Sequence, residues 1–370
     1  MKKLQSKKNI IFYNPSFETG GVEKNIKSYI DHAQNLRNYN KILLTLDKTN
    51  IDKNLYSQYP TKKFKFKGKL IKYLICCYYL FKISLKKRSI ILSFQNNVFA
   101  ILIAVITNTK IIVRLNTAPE KYINSYLKKQ IFSFCYKFAN LIVVNDEDFK
   151  KSVKKYFNIN SRVIHNFVNC DEVKKKSREN VKNNFFKKKT PIKIITVGRL
   201  TQQKNHISLL QAINNLEKKK NIELLILGSG DEKDSLKKYI NNKYLNKYVK
   251  LIGYKKNPFK YIRHSNVLIL SSKYEGSPNI LLEAACLKKI IISSNCKTGP
   301  KQILSNGKGG YLYQVNNYTQ LSKIIDQLKL NSALVKKKIS TSYLMARKYN
   351  KKNQGIEFKK IIKEFIDLKW

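Results

Sequence analysis

Acidic residues are scarce: the 370-residue chain carries 23 Asp or Glu against 74 Lys or Arg, a formal charge of +51. That scarcity excludes an acidic, solvating or disordered chain. It points to an anionic partner, whether nucleic acid, a phosphorylated ligand or an anionic membrane face. A genome biased toward Lys, Asn, Ile and Tyr codons would give the same surplus, so charge alone selects no function. Long apolar runs are missing too. The longest, residues 98–107 (VFAILIAVIT), falls short of the roughly 18 residues a membrane span needs and suits a buried helix. The four histidines (32, 165, 206, 264) are scattered, and the six cysteines (76, 77, 135, 170, 286, 296) form no CxxC pair. No built-in metal site is expected from such spacing. The opening MKKLQSKKN runs straight into a strand pattern. It reads as no cleavable signal, and the cysteines as reduced cytosolic thiols.

What is present is a globular composition. Apolar residues make up 43% and aromatics 11%, enough for sizeable cores over a length of roughly two domains. Two segments open alike. Residues 9–14 (NIIFYN) lead into Glu18-Thr19-Gly20-Gly21 and a helical stretch from Val22, and residues 192–197 (IKIITV) lead into Gly198-Arg199-Leu200 and a helix from about Asn205. Strand, glycine turn, helix is how a doubly wound parallel sheet begins. Further strand-like runs follow at 41–46, 90–94, 110–114 and 141–145, then at 223–227, 249–252, 267–270 and 290–293. Helical patterns such as 121–138 and 232–239 separate them, which predicts an α/β fold with parallel sheets covered on both faces. The polar stretch 171–190 reads as a linker. The predicted plan is a first Rossmann-like domain over 1–170, a second over 191–350, and a C-terminal helix over 351–370. That helix shows spacing at Ile356, Ile361 or Ile362, Phe365 and Leu368, and could pack on either domain. Such domains bind ligands at the C-terminal ends of their strands.

The stretch 271–304, SSKYEGSPNILLEAACLKKIIISSNCKTGPKQIL, carries the most chemistry. Glu275 and Glu283 stand eight apart. Gly276-Ser277-Pro278 is a turn, Pro278 suits the first position of a helix, and residues 279–286 (NILLEAAC) read as that helix. Backbone amides at its start, around Asn279 and Ile280 and next to Ser277, favour an anion such as a diphosphate. Glu283 could instead pair with a lysine on a solvated face, although Leu281, Leu282, Ala284 and Ala285 surround it.

This stretch resembles the E-x7-E signature of the family-4 retaining GT-B glycosyltransferases, and in particular bacterial enzymes of surface-polysaccharide and lipid-linked oligosaccharide assembly. The matching residues are Glu275, Gly276, Pro278, Asn279, Glu283 and Ala284, then Cys296, Gly299, Pro300, Ile303 and Leu304. The resemblance implies a GT-B fold with two domains facing a cleft. It implies that Glu283 holds the donor ribose and that Glu275 faces the donor sugar near the reacting carbon.

Residues 197–205 (VGRLTQQKN) are similar to the family's G-R-L-x-x-x-K-N motif, whose Arg and Lys, here Arg199 and Lys204, bind the donor diphosphate and stabilise its departure. Gly20-Gly21-Val22-Glu23 resembles the G-G-x-E turn near the donor phosphate. Leu227-Gly228-Ser229-Gly230 resembles a G-x-G turn, in which Gly228 serves either a nucleotide contact or the turn alone. Residues 163–169 (VIHNFVN) resemble the segment ending the first domain, with Asn169 in place of Asp and His165 read as structural. Departures are also visible. Where relatives carry a histidine by the reacting sugar this chain has Val113-Arg114-Leu115-Asn116-Thr117, which leaves positioning to Arg114 and Asn116. Gln302 stands where Glu is common, and residues 286–289 read CLKK.

The expected reaction is transfer of a hexose or N-acetylhexosamine from a nucleoside-diphosphate sugar, UDP-linked before GDP-linked, with no cofactor and no metal. The acceptor implied is a lipid-linked, lipopolysaccharide or capsule glycan. Residues 62–88 alternate basic clusters with an apolar block at 74–81, as a protein lying on the inner face of a membrane would, or as an ordinary first-domain helix with solvated ends. No nucleic-acid-binding pattern accompanies the positive charge, so no nucleic-acid partner is expected. A basic nucleic-acid-binding protein and a nucleotide-sugar epimerase are the rival readings.

Overall fold

The computed structural model describes residues 8–16, 21–47, 52–59, 68–86, 89–181, 192–217 and 221–367. The chain divides into two compact units, Met1–Phe167 with Lys351–Trp370, and Val168–Asn350.

The first unit has strands β1 (Lys8–Tyr13), β2 (Tyr39–Leu44), β3 (Ser57–Tyr59), β4 (Ser89–Ser93), β5 (Lys110–Arg114), β6 (Leu141–Val144) and β7 (Arg162–Val163). Its helices are α1 (Gly21–Ala33), α2 (Lys69–Lys86), α3 (Asn97–Ile106), α4 (Tyr126–Lys137) and α5 (Glu147–Phe157). Among the described residues the strands form one parallel sheet in the order β3-β2-β1-β4-β5-β6-β7. Successive residues of β1 feed opposite cores. Ile10 and Phe12 pack with α1, while Ile11 and Tyr13 face the layer holding α2, α3 and α5. Burial on both faces is why these strands read as unbroken apolar runs.

The second unit has strands β8 (Ile192–Val197), β9 (Ile222–Leu227), β10 (Val249–Gly253), β11 (Val267–Leu270), β12 (Ile290–Ser294) and β13 (Tyr311–Tyr313). Its helices are α6 (Cys170–Ser177), α7 (His206–Asn214), α8 (Lys233–Asn242), α9 (Phe259–Arg263), α10 (Asn279–Cys286), α11 (Pro300–Ile303), α12 (Tyr318–Asp326) and α13 (Ala333–Lys348). The parallel order is β10-β9-β8-β11-β12-β13. The strand order reverses between β8 and β11, which are paired at Ile194↔Val267 and Ile195↔Leu268. At such a reversal the connections leave to opposite sides, and a crevice opens beyond the strand ends. The last helix, α14 (Lys351–Asp367), belongs to the first unit. It packs on α1 through the edge-to-face pair Tyr29–Phe358, centroids 4.6 Å apart, and the Lys351–Asp31 ion pair.

Several expectations are corrected. The polar stretch from 171 begins as helix: α6 is capped by the Asn169 side chain and buries Val173 against α9 and α10, while residues 182–190 lie outside the described ones. Helix α4 starts at Tyr126 rather than 121, because Ser125 caps it by accepting from Lys128 N. On α14 the inward residues are Phe358, Ile361, Ile362 and Phe365; Ile356 is exposed and Leu368 lies outside the described residues.

The 98–107 run is not wholly buried. Helix α3 turns Ala100, Ile101 and Ala104 to the sheet and leaves Phe99, Leu102, Val105 and Ile106 exposed, since a helix lying on a sheet can bury only one side. Nor are all six cysteines thiols. Cys170 at the start of α6 and Cys286 at the end of α10 form a disulfide, with their Cα atoms 5.2 Å apart, whereas Cys76, Cys77, Cys135 and Cys296 are free. The packing of α6 on α10 brings together two residues 116 apart in sequence. Among the described residues, no helix is long and apolar enough to cross a membrane.

Candidate active site

Beyond the ends of β8 and β11 two loops lie against each other in the second unit. After β8, the turn Gly198–Leu200 is stitched to the turn after β9. Gly198 N donates to Leu227 O, and Leu200 N donates to Ser229 O. A Cβ on Gly228 would sit 1.8 Å from the Gly198 carbonyl oxygen, so only glycine permits this approach. The structure thus gives Gly228 a packing duty in the turn. Leu200 is fully buried beneath, which leaves the neighbouring Arg199 exposed at the surface of the loop.

Lys204 ends this loop just before α7. Its backbone carbonyl accepts from Ser271 Oγ at 2.9 Å. The loop after β11 adds two further links, Lys273 N to Gln203 O at 2.8 Å and Gln203 Nε2 to Tyr274 O at 3.1 Å. These bonds hold the Lys204 side chain against Glu275. Lys204 Nζ donates to Glu275 Oε1 at 2.6 Å, and Ser272 Oγ donates to the same oxygen at 2.5 Å. The ion pair is mostly buried, with side-chain exposures of 17% and 7%. A pair so placed orients both groups firmly, and removing one partner strands the other's charge. The family resemblance points Glu275 at a sugar; the folded loops set its carboxylate on Lys204. Arg199 Nη2 reaches Gln203 Oε1 at 3.4 Å.

A third loop closes the site from the β12 side. Thr298 Oγ1 donates to the Glu275 carbonyl, and Thr298 adopts a φ of 63°, rare for a β-branched residue. Gly299 follows at φ 91°; a Cβ there would lie 2.7 Å from Pro278 Cδ, so the loop rests directly on the Gly276-Ser277-Pro278 turn. Pro278 is the N-cap of α10 rather than its first residue, and no side chain caps the helix there. Asn279 and Glu283 are buried, 9% and 6% exposed, and Ile280 is half-buried. Glu283 therefore does not sit on a solvated face. Burial, followed by the nearby Glu275 charge, pushes the Cys296 thiol up to about 12 and keeps it protonated. Burial also lowers His206, at the start of α7, to about 4. The neutral ring donates from Nε2 to the Arg199 carbonyl at 3.2 Å and braces the turn from below.

The residues expected in the first unit are placed differently. Gly20 lies outside the described residues, and Gly21 opens α1. Arg114 is not at a surface where it could position a sugar. It shares the inward face of β5 with Ile112 and is 3% exposed. Its guanidinium donates to the Tyr29 hydroxyl, to Ile164 O at 3.1 Å and to Asn166 Oδ1 at 2.8 Å. Burial lowers the Arg114 pKa. Asn116 Nδ2 donates to Phe94 O at 2.8 Å and ties the end of β5 to that of β4. His165 Nδ1 donates to Asn145 O at 2.8 Å, a structural contact as read from the sequence. Sequence reasoning missed Ser271, Ser272, Gln203 and Thr298. All four stand inside the quoted stretches 197–205 and 271–304, but only the fold shows what their side chains hold.

Residues 177–345 match the sequence profile of the family described as glycosyl transferases group 1. This span lies within the second unit and contains every loop just described. That span is similar to a glycosyl transferases group 1 domain.

Curated glycosyltransferases are also similar to this chain. A glycosyltransferase of Methanocaldococcus jannaschii is 36% identical over 208 residues, 53% of this chain and 51% of that protein. The N-acetylgalactosamine-N,N'-diacetylbacillosaminyl-diphospho-undecaprenol 4-alpha-N-acetylgalactosaminyltransferase of Campylobacter jejuni is 27% identical over 239 residues, 61% of this chain and 63% of that protein. The chain thus spans about half to just under two thirds of the length of these curated relatives. In fold the likeness is wider. The crystal structure of Anabaena HepE in complex with UDP superposes with a TM-score of 0.78 over 96% of this chain and 100% of that one, at 14% identity. Two parallel Rossmann-like sheets of this type are those of GT-B glycosyltransferase structures.

Proposed function

We propose that the chain is a retaining glycosyltransferase that moves a hexose or N-acetylhexosamine from a UDP-sugar to a hydroxyl of a lipid-linked, lipopolysaccharide or capsule glycan. One observation carries the reading: two cations, Arg199 and Lys204, stand on the loop after β8 at the strand-order reversal, and Lys204 is bonded to Glu275 on the loop that leads into α10. A leaving diphosphate spreads charge over several oxygens, and fixed cations with helix amides match that charge as it develops. In the reaction the anomeric carbon–oxygen bond breaks toward the diphosphate. The acceptor oxygen bonds the same carbon, and its proton passes to the departing diphosphate.

Lys204 and Arg199 neutralise the departing group. Glu275, with Ser272, holds the ammonium in place and stands next to the sugar position. Glu283 grips the ribose, with Ser277, Asn279 and Ile280 around the diphosphate. The UDP preference draws on the ligand bound by HepE, and the lipid-linked acceptor on the name of the C. jejuni relative. Such an acceptor sets the enzyme at the cytoplasmic face of a membrane, bound peripherally.

Thermal unfolding with and without nucleotides tests the donor half, because a ligand that binds only the folded state raises its melting temperature. Saturating UDP is expected to raise Tm by several degrees, GDP by less, and UDP to act weakly on Arg199→Ala. No shift with any nucleoside diphosphate would refute the reading.

A further inference from the structure

We infer that the outer face of helices α2, α3 and α4 is a docking surface for an anionic lipid bilayer. Fifteen of the twenty-one large hydrophobic side chains that are exposed among the described residues lie on these three helices or on the Phe138 cap of α4. Scattered single hydrophobics are normal on a protein surface, whereas a continuous apolar face marks a partner. Here the face is continuous. Helix α3 packs on both α2 and α4, and each helix turns a stripe outward, exemplified by Leu74 and Tyr78, Leu102 and Ile106, and Leu127 and Phe134. Their other sides are spoken for, with Cys76 and Leu80, Ala100 and Ala104, and Tyr136 in the core. The apolar outer stripes are therefore not leftovers of poor packing.

Charge identifies the occupant. The three helices, of 18, 10 and 12 residues, contain no Asp or Glu, and Lys82, Lys86 and Lys137 stand exposed beside the stripes. A second copy of the same face would bring lysines against lysines. An anionic leaflet instead supplies the missing negative charge and takes apolar side chains at the boundary between headgroups and acyl chains. Lysine stems can lie along that boundary with their ammonium groups in the headgroup layer. The inference takes its purpose from the lipid-linked acceptor proposed above, but its test does not depend on catalysis.

The full-length protein is sedimented with phosphatidylcholine vesicles, with or without about one third phosphatidylglycerol, at low salt and at about 0.5 M salt, where surface charge is heavily screened. Binding to the anionic vesicles is expected. It should fall at least tenfold at both salts in the double variant Leu102→Asp/Ile106→Asp. The charge-matched Tyr244→Asp/Tyr254→Asp, at exposed aromatics of the second unit, should stay within twofold of the parent. Equal losses in the two variants, or none in either, would reduce the effect to the chain's overall charge and overturn the assignment. A dimer that the Leu102→Asp/Ile106→Asp variant splits, with no vesicle binding by the parent, would overturn it in favour of a second copy. A UDP-induced rise in Tm, measured on every variant, reports folding and separates the two proposals. No vesicle binding by the parent while its shift persists refutes the docking face alone. Vesicle binding without any shift refutes the donor reading alone.

Discussion

Lys204→Ala is expected to lower kcat about a thousandfold at saturating donor. Removing one preorganised donor from a developing negative charge costs a hundred- to a thousandfold in comparable sites, about 4 kcal/mol at the upper end. Lys204 belongs at that end because it is a full charge held in a mostly dry setting by Glu275 and by the Ser271 bond to its own carbonyl. The same substitution leaves the Glu275 carboxylate buried with Ser272 as its remaining hydroxyl donor, so stability should also drop, by about 3 kcal/mol. The two effects can be separated. In Lys204→Ala/Glu275→Gln the stranded charge is gone, so stability should return while activity does not. Arg199→Ala gives the opposite contrast. Its side chain is exposed, so the variant should unfold near the parent's temperature yet turn over about a hundredfold more slowly. If Lys204→Ala kept kcat within tenfold of the parent, the cation would have no part in diphosphate departure.

The second large effect is on donor binding. Glu283→Gln keeps the shape of the side chain and removes its charge. A carboxylate gripping ribose hydroxyls contributes charge-assisted hydrogen bonds of about 1.5–3 kcal/mol each. The variant should raise KM for the UDP-sugar about 10- to 100-fold with kcat nearly unchanged, the signature of binding shared by ground and transition states. A donor lacking a ribose hydroxyl supplies the control. The parent should discriminate against it strongly and Glu283→Gln only weakly, because each change removes the same contact. If the two losses simply add, Glu283 acts on the packing of α10 and not on the ribose.

Much of this architecture is legible in the chain. The two strand–turn–helix openings at β1 and β8 show the parallel sheets, since strands buried on both faces must be apolar throughout. The short edge strands β3, β7 and β13, of two or three residues, leave no such run. The motif resemblance singles out Arg199, Lys204, Glu275 and Glu283 as candidates. It cannot show that Lys204 and Glu275, 71 residues apart, meet in an ion pair, because the reversal of strand order between β8 and β11 makes that contact.

Arg114 shows the converse difficulty. In a chain crowded with exposed cations its inward position is visible only from the alternation along β5, and only the fold supplies its three acceptors. Helix α3 is apolar on all sides, so periodicity could not reveal that one side faces outward. The Cys170–Cys286 disulfide depends on α6 packing against α10, which no spacing encodes.

The most direct test of glycosyl transfer is to follow UDP release and product mass together, with and without a lipid-linked glycan acceptor. The account predicts UDP release that depends on acceptor and matches, one for one, a product heavier by a single sugar. Equal UDP release without acceptor, or none with any nucleotide sugar, would contradict it.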